Sequence, residues 1–357
     1  MSNGKHIAVI CNYELKPNRI GGMDRFFVAY DRACKAKGFQ VDWFFSNSTP
    51  HRFYINLTVY ASEELSAEDQ YLSRIASEKY DIVVTHFLAL CTSFYKRLKE
   101  KNQPYIIAVD HNPRPLKGFP LKKRIKNRLK GIIYSRYINQ FVGVSKYTKD
   151  CISNDYGQFL KKKTTIIYNG IDASIYLKRT EENPGKFIVA SHLRESKGIQ
   201  DLIEAVNLFS EEKKQLLKID IFGVGPLETR LKEMVREYKL EPQFSFRGST
   251  SNLPDLLQNY SFLLQPTYME CFSLSILESL AANLPVITTP VGGNPEIIAE
   301  GKNGFIFKTG DIKALSSILE KVLQEKLTIS EDVSTLIKNQ FPLEKMVKEH
   351  INLLPCT

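Results

Sequence analysis

A chain of 357 residues is long enough for two domains with full cores, and 43% hydrophobic with 25% charged residues is ordinary for a soluble globular protein. No run of about 18 apolar residues occurs, which excludes a spanning helix, and six scattered cysteines (Cys11, Cys34, Cys91, Cys151, Cys271, Cys356) without C-x-x-C spacing fit reduced thiols, not a disulfide frame or zinc site. The formal charge of +10 is uneven: residues 1–180 hold 30 Lys+Arg against 15 Asp+Glu, a net of +15, whereas residues 181–357 hold 19 against 24. An anionic partner is therefore expected for the first half only.

The N-terminal residues run into an apolar stretch without the h-region of an export signal, so none is expected. Strand and helix patterns then alternate. His6–Cys11 reads as a strand, Gly21–Lys37 as a helix and Gln40–Phe45 as a strand. Ala67–Lys79 (helix), Asp81–Thr85 (strand), Leu90–Lys101 (helix), Tyr105–Val109 (strand), Leu121–Asn139 (helix) and Phe141–Val144 (strand) follow. The strands are continuous apolar runs, as in a parallel sheet covered on both faces. Residues 177–186 (LKRTEENPGK) are polar with Pro-Gly and read as a linker. A second alternation begins at Phe187–Ser191 and runs through Ile219–Phe222, Phe244–Arg247, Ser261–Leu264, Val286–Thr288 and Phe305–Phe307. The expected fold is α/β: two Rossmann-like, doubly wound parallel-sheet domains, residues 1–176 and 187–340, with residues 341–357 forming a C-terminal helix. Ligands are expected in a cleft at the carboxyl ends of the two sheets.

Chemistry concentrates in Pro266-Thr-Tyr-Met-Glu270-Cys-Phe272-Ser273-Leu274-Ser275-Ile-Leu-Glu278. A short buried strand precedes it and good helix formers follow from Ser275. Glu270 then lies on a strand-to-helix loop, and Glu278 lies one turn inside the helix. The N–H groups of Phe272, Ser273, Leu274 and Ser275 are helix-start donors, which bind phosphate well. A carboxylate one turn further in can accept from sugar hydroxyls. Diphosphate plus ribose is half of a nucleotide sugar. Ser275-x-x-Glu278 reads equally as a capping box, which would give Glu278 a structural role.

The pattern E-x-F-x-x-x-x-x-E, continued by Asn283–Ile298 (NLPVITTPVGGNPEII) and Gly301-Lys-Asn303-Gly304, resembles the signature of the retaining glycosyltransferases of family 4, which have the GT-B architecture. The resemblance implies that Gly21-Gly22-Met-Asp-Arg25, a G-G-x-x-R loop, lies against a donor diphosphate. It places His111, at the end of Tyr105–Val109, near the reacting sugar. A histidine there is also placed to hydrogen-bond substrate, and its ordinary pKa suits proton traffic; His86 is a second candidate. The family's G-R-L-x-x-x-K-G clamp is matched by Lys197 and Gly198, but Ser191 and His192 replace its Gly and Arg. A neutral His donates one hydrogen bond where Arg offers a charged fork, so Arg194 becomes an alternative. Gly223-Val-Gly225 would line the cleft floor, and Arg247 the nucleotide base. The resemblance also has the C-terminal helix cross back onto the first domain.

Lys117–Lys130 carries Lys117, Lys122, Lys123, Arg124, Lys126, Arg128 and Lys130 with no acidic residue. Apolar Phe119, Leu121, Ile125, Leu129, Ile132 and Ile133 interleave, and this stripe is expected to face the core. A basic amphipathic helix reads as an anionic-membrane surface; aromatic residues for base stacking are few, so nucleic acid is not expected.

The expectation is a retaining hexosyl- or N-acetylhexosaminyl-transferase. Lys197 and the helix start stabilise a leaving nucleoside diphosphate, Glu278 holds ribose, Glu270 orients sugar hydroxyls, and His111 positions sugar or acceptor. The donor is a UDP- or GDP-linked sugar, and the acceptor a glycan or lipid-linked sugar. No cofactor or metal is expected, since no Asp-x-Asp occurs. The expected location is cytoplasmic, peripheral at the inner face of the membrane, in cell-surface polysaccharide synthesis. A GT-B phosphorylase or epimerase, and a non-catalytic basic protein binding membrane or nucleic acid, stay open as alternatives.

Overall fold

The computed structural model describes residues 5–181 and 183–355. Cys356 and, within the expected linker, Glu182 lie outside the described residues. The chain divides into two compact units, Met1–Gly170 with Leu343–Thr357, and Ile171–Pro342.

The first unit is built on seven parallel strands: β1 (His6–Leu15), β2 (Gln40–Ser48), β3 (Thr58–Ala61), β4 (Ile82–His86), β5 (Tyr105–Asp110), β6 (Gln140–Gly143) and β7 (Thr164–Ile166). Their order is β3-β2-β1-β4-β5-β6-β7. Ile7 to Cys11 and all of β4 are buried, because helices cover both faces and no strand face is left for water. The edge strands β3 and β7 are absent from the sequence reading; each is too short for an apolar run to declare itself. The helix Leu343–Ile351 packs on the helix Gly22–Ala36, and Leu343, Met346, Val347, His350 and Ile351 of it are buried.

The second unit has six parallel strands: β8 (Lys186–Ala190), β9 (Lys218–Phe222), β10 (Phe244–Gly248), β11 (Phe262–Gln265), β12 (Val286–Thr288) and β13 (Gly304–Ile306). The order β10-β9-β8-β11-β12-β13 repeats the logic of the first sheet. In each sheet the strand order reverses once, between β1 and β4 and between β8 and β11. Loops leaving the carboxyl ends at such a point diverge and leave a crevice for ligand.

Two expectations fail here. Residues 177–186 are not a free linker, since the unit boundary falls at Gly170/Ile171. The Leu177 N–H donates to Pro254 O (3.2 Å), the Arg179 N–H to Ala282 O (2.8 Å) and Arg179 Nε to Asn283 O (3.1 Å). Polar composition marked a surface segment, but those bonds tie it to the second unit.

The apolar stripe of the basic helix, Leu121–Tyr134, does not face the core. Leu121, Ile125, Leu129, Ile132 and Ile133 are between 46% and 69% exposed. The buried positions are Asn127 and Gly131. At about 100° per residue those two lie on the side opposite the stripe. The cause is close packing: a Cβ at Gly131 would run into the Tyr156 carbonyl, so the helix approaches its neighbour Lys146–Tyr156 through its small residues.

Candidate active site

In the second unit, the loops after β8 and β11 meet. The Tyr268 N–H and Thr267 Oγ1 both donate to Ser196 O, at 2.8 and 3.0 Å, and Tyr268 Oη donates to Asp201 Oδ2 at 2.6 Å. These bonds pin the turn Glu195–Lys197 to the segment before Glu270. Lys197 Nζ consequently lies 2.9 Å from Glu270 Oε2, with the side chains 21% and 18% exposed. Gly292, at φ +61°, passes so close that a Cβ would strike the Glu270 carbonyl; the loop after β12 thus braces the same residue from behind. Tyr268, Thr267 and Asp201 were not singled out from sequence, because nothing in a lone tyrosine announces a partner 67 residues away.

The helix Leu274–Ala281 begins one residue earlier than the sequence pattern suggests. Its cap is Ser273, whose Oγ accepts from the Ile276 N–H (3.3 Å) and is itself fixed by Gln265 Nε2 (2.7 Å). Ser275 is not a cap: its Oγ donates to Ala190 O (2.8 Å), at the end of β8. Ser275-x-x-Glu278 therefore is not a capping box, and the structural reading of Glu278 loses its basis. Glu278 is buried on this helix. Leu274 and Ser275, at the first helical positions, are half-buried, and Phe272 is buried with its ring against Phe341 at 5.3 Å. Helix-start amides, Lys197 and Glu270 thus gather at the β8/β11 reversal.

His192 and Arg194 stand on the same β8 loop. Arg194 Nε donates to His192 Nδ1 at 3.1 Å, so the histidine brings a guanidinium with it. Gly223 and Gly225 pack against the backbone of Ser191 and Leu193. Arg247 is not brought to the pair. It lies on β10, the edge strand two places from β8, and its Nε donates to Asp220 Oδ1 at 2.8 Å.

In the first unit, Gly21 ends the loop after β1 and Gly22 starts the helix Gly22–Ala36. The Gly21 N–H is already engaged, donating to Asp24 Oδ2 at 2.9 Å. Asp24 is fully buried and also accepts from Tyr13 Oη (2.9 Å) and Tyr54 Oη (2.7 Å). Burial raises its carboxyl above the usual range against the pull of these bonds. Asp24 sits inside the Gly-Gly motif, yet the sequence reading passed over it.

His86 ends β4, and His111 directly follows β5. His86 Nδ1 is 3.0 Å from His111 Nε2. His350 of the C-terminal helix joins them, its ring centroid 5.9 Å from that of His86. Burial depresses all three pKa values, to about 3 for His111 and His350 and well below the ordinary value for His86. The expectation that the pKa of His111 suits proton traffic is therefore corrected: removal from water disfavours the imidazolium, and the ring is neutral at physiological pH. Lys122, Lys123, Arg124, Lys126 and Arg128 are exposed on the basic helix and Lys130 is half-buried.

Two doubly wound parallel sheets, each with polar groups at its strand-order reversal, make the GT-B class of fold. HepE from Anabaena, solved with UDP-glucose, matches with a TM-score of 0.77 at 17% identity, over 98% of this chain and all of its own. The Glycosyltransferase Family 4 model matches residues 20–175, and the Glycosyl transferases group 1 model matches residues 176–340. The chain belongs to this family of glycosyltransferases. N-acetyl-alpha-D-glucosaminyl L-malate synthase of Bacillus anthracis is 28% identical over 203 residues, 53% of this chain and 52% of that protein. An uncharacterized glycosyltransferase of Methanocaldococcus jannaschii is 28% identical over 282 residues, 76% of this chain and 74% of that one. The matches thus span about half the length of the first relative and three quarters of the second.

Proposed function

We propose that this chain transfers a sugar from a nucleotide-sugar donor to a glycan or lipid-linked acceptor, with retention and without a metal, in cell-surface polysaccharide synthesis. The observation that carries the reading is the Lys197–Glu270 pair beside the start of the helix Leu274–Ala281. Lys197 and the first amides of that helix meet the leaving diphosphate. Charge donors fixed in place need no reorganisation as negative charge develops, so they favour the transition state. Glu270, oriented by Lys197, accepts from sugar hydroxyls, and Glu278 holds the ribose. Arg194, drawn in by His192, supplies the cation that the missing clamp arginine would give. Retention follows the family signature spanning Glu270, Phe272 and Glu278. A uracil base is favoured over guanine because the similar structure of HepE was solved with UDP-glucose.

The first unit holds the acceptor and works at the inner face of the membrane. Its helix Leu121–Tyr134 turns five apolar side chains outward, with Arg124 and Arg128 along one flank and Lys122, Lys126 and Lys130 along the other. That pattern suits the boundary between headgroups and acyl chains. No helix among the described residues is long and apolar enough to cross a membrane.

Thermal unfolding with UDP, GDP and ADP, with and without EDTA, tests the donor half. A stabilising shift with UDP that survives EDTA is expected, followed by UDP release in a screen of UDP-sugars. No shift and no release with any nucleotide, alongside binding to anionic vesicles or DNA, would replace this reading with a non-catalytic one.

A further inference from the structure

We infer that Tyr268 and Asp201 are positioning residues for the reaction: their hydrogen bond clasps the loop after β8 to the loop after β11 and so sets where the Lys197 ammonium stands. This rests on the proposed role of Lys197 at the leaving diphosphate. Lys197 and Glu270 lie on different loops, 73 residues apart in the chain. Their ion pair, about a fifth exposed on each side, is too weak to fix two loops by itself. The spacing of the pair must therefore be set by other bonds.

The joints between the two loops are unequal. Thr267 Oγ1 and the Tyr268 N–H both end on one atom, Ser196 O. Two bonds to a single oxygen fix a place but leave a pivot. Gly198, at φ +70°, adds a steric joint: a Cβ there would strike the Pro266 carbonyl. That contact sets how near the loops lie and supplies no directed bond. The bond from Tyr268 Oη to Asp201 Oδ2, at 2.6 Å, reaches past the pivot to the first turn of the helix Ile199–Asn207. Two separated points fix a direction as well as a place. Lys197 stands between Ser196 and Asp201 in the chain, and Glu270 follows Tyr268 by two residues, so a turn about the pivot changes the Lys197–Glu270 distance directly. The clasp is well held. Asp201 is buried, and the backbone at Gly310 passes so near that a Cβ there would stand 3.1 Å from the Tyr268 hydroxyl. A hydroxyl donating to a carboxylate is among the stronger hydrogen bonds, and a buried carboxylate robbed of its donor is costly.

The test reads turnover and, without any substrate, the lysine itself. Tyr268→Phe removes one oxygen. It should lower kcat at saturating donor by about tenfold or more with the donor KM within about threefold, since a small misplacement of a reacting group slows the chemical step. On a Lys197→Ala background the same change should alter kcat by less than about threefold, because residues that act through one another are not additive. Asp201→Asn keeps an acceptor oxygen and should stay within about threefold of the parent, whereas Asp201→Leu should be as slow as Tyr268→Phe. In the full-length protein without ligand, limited acetylation is read by mass spectrometry with the exposed Lys302 as internal standard. Lys197 should label about two- to fivefold faster in Tyr268→Phe than in the parent, the range over which a partly solvated ion pair holds a lysine. An unaltered kcat in Tyr268→Phe, a loss that multiplies in full on Lys197→Ala, an Asn variant as slow as the Leu variant, or an unchanged labelling rate overturns the inference. If even the parent transfers no sugar, the proposed function fails, and the labelling rate alone still decides whether the clasp holds Lys197.

Discussion

Replacing Lys197 with alanine separates catalysis from stability by magnitude. The Lys197–Glu270 pair is 2.9 Å long but about a fifth exposed on each side. Such a partly solvated pair contributes roughly 0.2–1 kcal/mol to folding. For a unit of this size, that lowers the melting temperature by roughly 2–4 °C at most. If Lys197 is the cation that meets the leaving diphosphate, its loss removes a transition-state donor and costs about 2.7–4 kcal/mol of barrier. Turnover should then fall by about 10²–10³ in a protein that still melts almost normally. Nucleotide release at saturating donor, read beside a circular-dichroism melt, compares the two numbers directly. Donor binding should suffer less than turnover, because the charge develops only as the sugar bond breaks. A variant that turns over within about threefold of the parent removes Lys197 from the mechanism. Loss of activity that merely tracks a melting drop beyond about 10 °C would refute the reasoning in the other direction, since a pair this exposed could not then be peripheral to folding.

Glu278→Gln should weaken nucleotide binding by about 1–3 kcal/mol, measured by calorimetry, with little change in melting because Ser273 caps the helix; unchanged affinity with lowered melting would return Glu278 to a structural role. The three buried histidines make the first unit sensitive to acid. Their folded pKa values lie below the unfolded value of about 6.5, so between roughly pH 6.5 and 3 the unfolded chain binds more protons, and stability falls as pH falls, by about 1.4 kcal/mol per pH unit for each group well inside that window. Urea midpoints at pH 5 and pH 7.5 check this, and equal midpoints would contradict it. Lys122, Lys123, Arg124 and Lys126 changed together to Gln should weaken binding to anionic vesicles, at about 1 kcal/mol per charge near the surface, and leave transfer to a soluble acceptor intact. The exposed stripe should leave a salt-resistant remainder that Ile125→Gln with Leu129→Gln abolishes; binding untouched by either set would show that this helix is not the contact.

The parallel sheets were legible because both faces of each are covered. Continuous apolar runs such as Ile7–Cys11 and Phe262–Leu264, too short for a typical helix, fit strands buried on both faces. Long-range side-chain bonds were not legible. The hold of Tyr268 on Asp201 and of Tyr54 on Asp24 depends on loops that only the finished sheet brings together. Periodicity also failed to say which face of Leu121–Tyr134 is inside. Five apolar residues at helical spacing look like a core stripe, but Gly131 allows a closer backbone approach than any of them, and close packing chose that side.

The charge of the two halves then acquires a different meaning from the one its sum suggests. Residues 1–180 carry a net of +15, which invites a diphosphate-binding role for the first unit. At the carboxyl ends of its sheet, however, stand an imidazole pair kept neutral by burial, a carboxyl with a raised pKa capped by two tyrosines, and Arg114, a cation already paired with Asp110 and Asp155. The fixed positive charge at a strand-order reversal lies instead in the second unit, which is the more acidic half, in the form of Lys197 and its neighbour Arg194. Six of the first half's cations stand on Leu121–Tyr134, around exposed side chains that water does not favour. The proposed function divides accordingly: a diphosphate met by a few oriented donors in the second unit, and a lipid surface met by the exposed cations of this helix in the first.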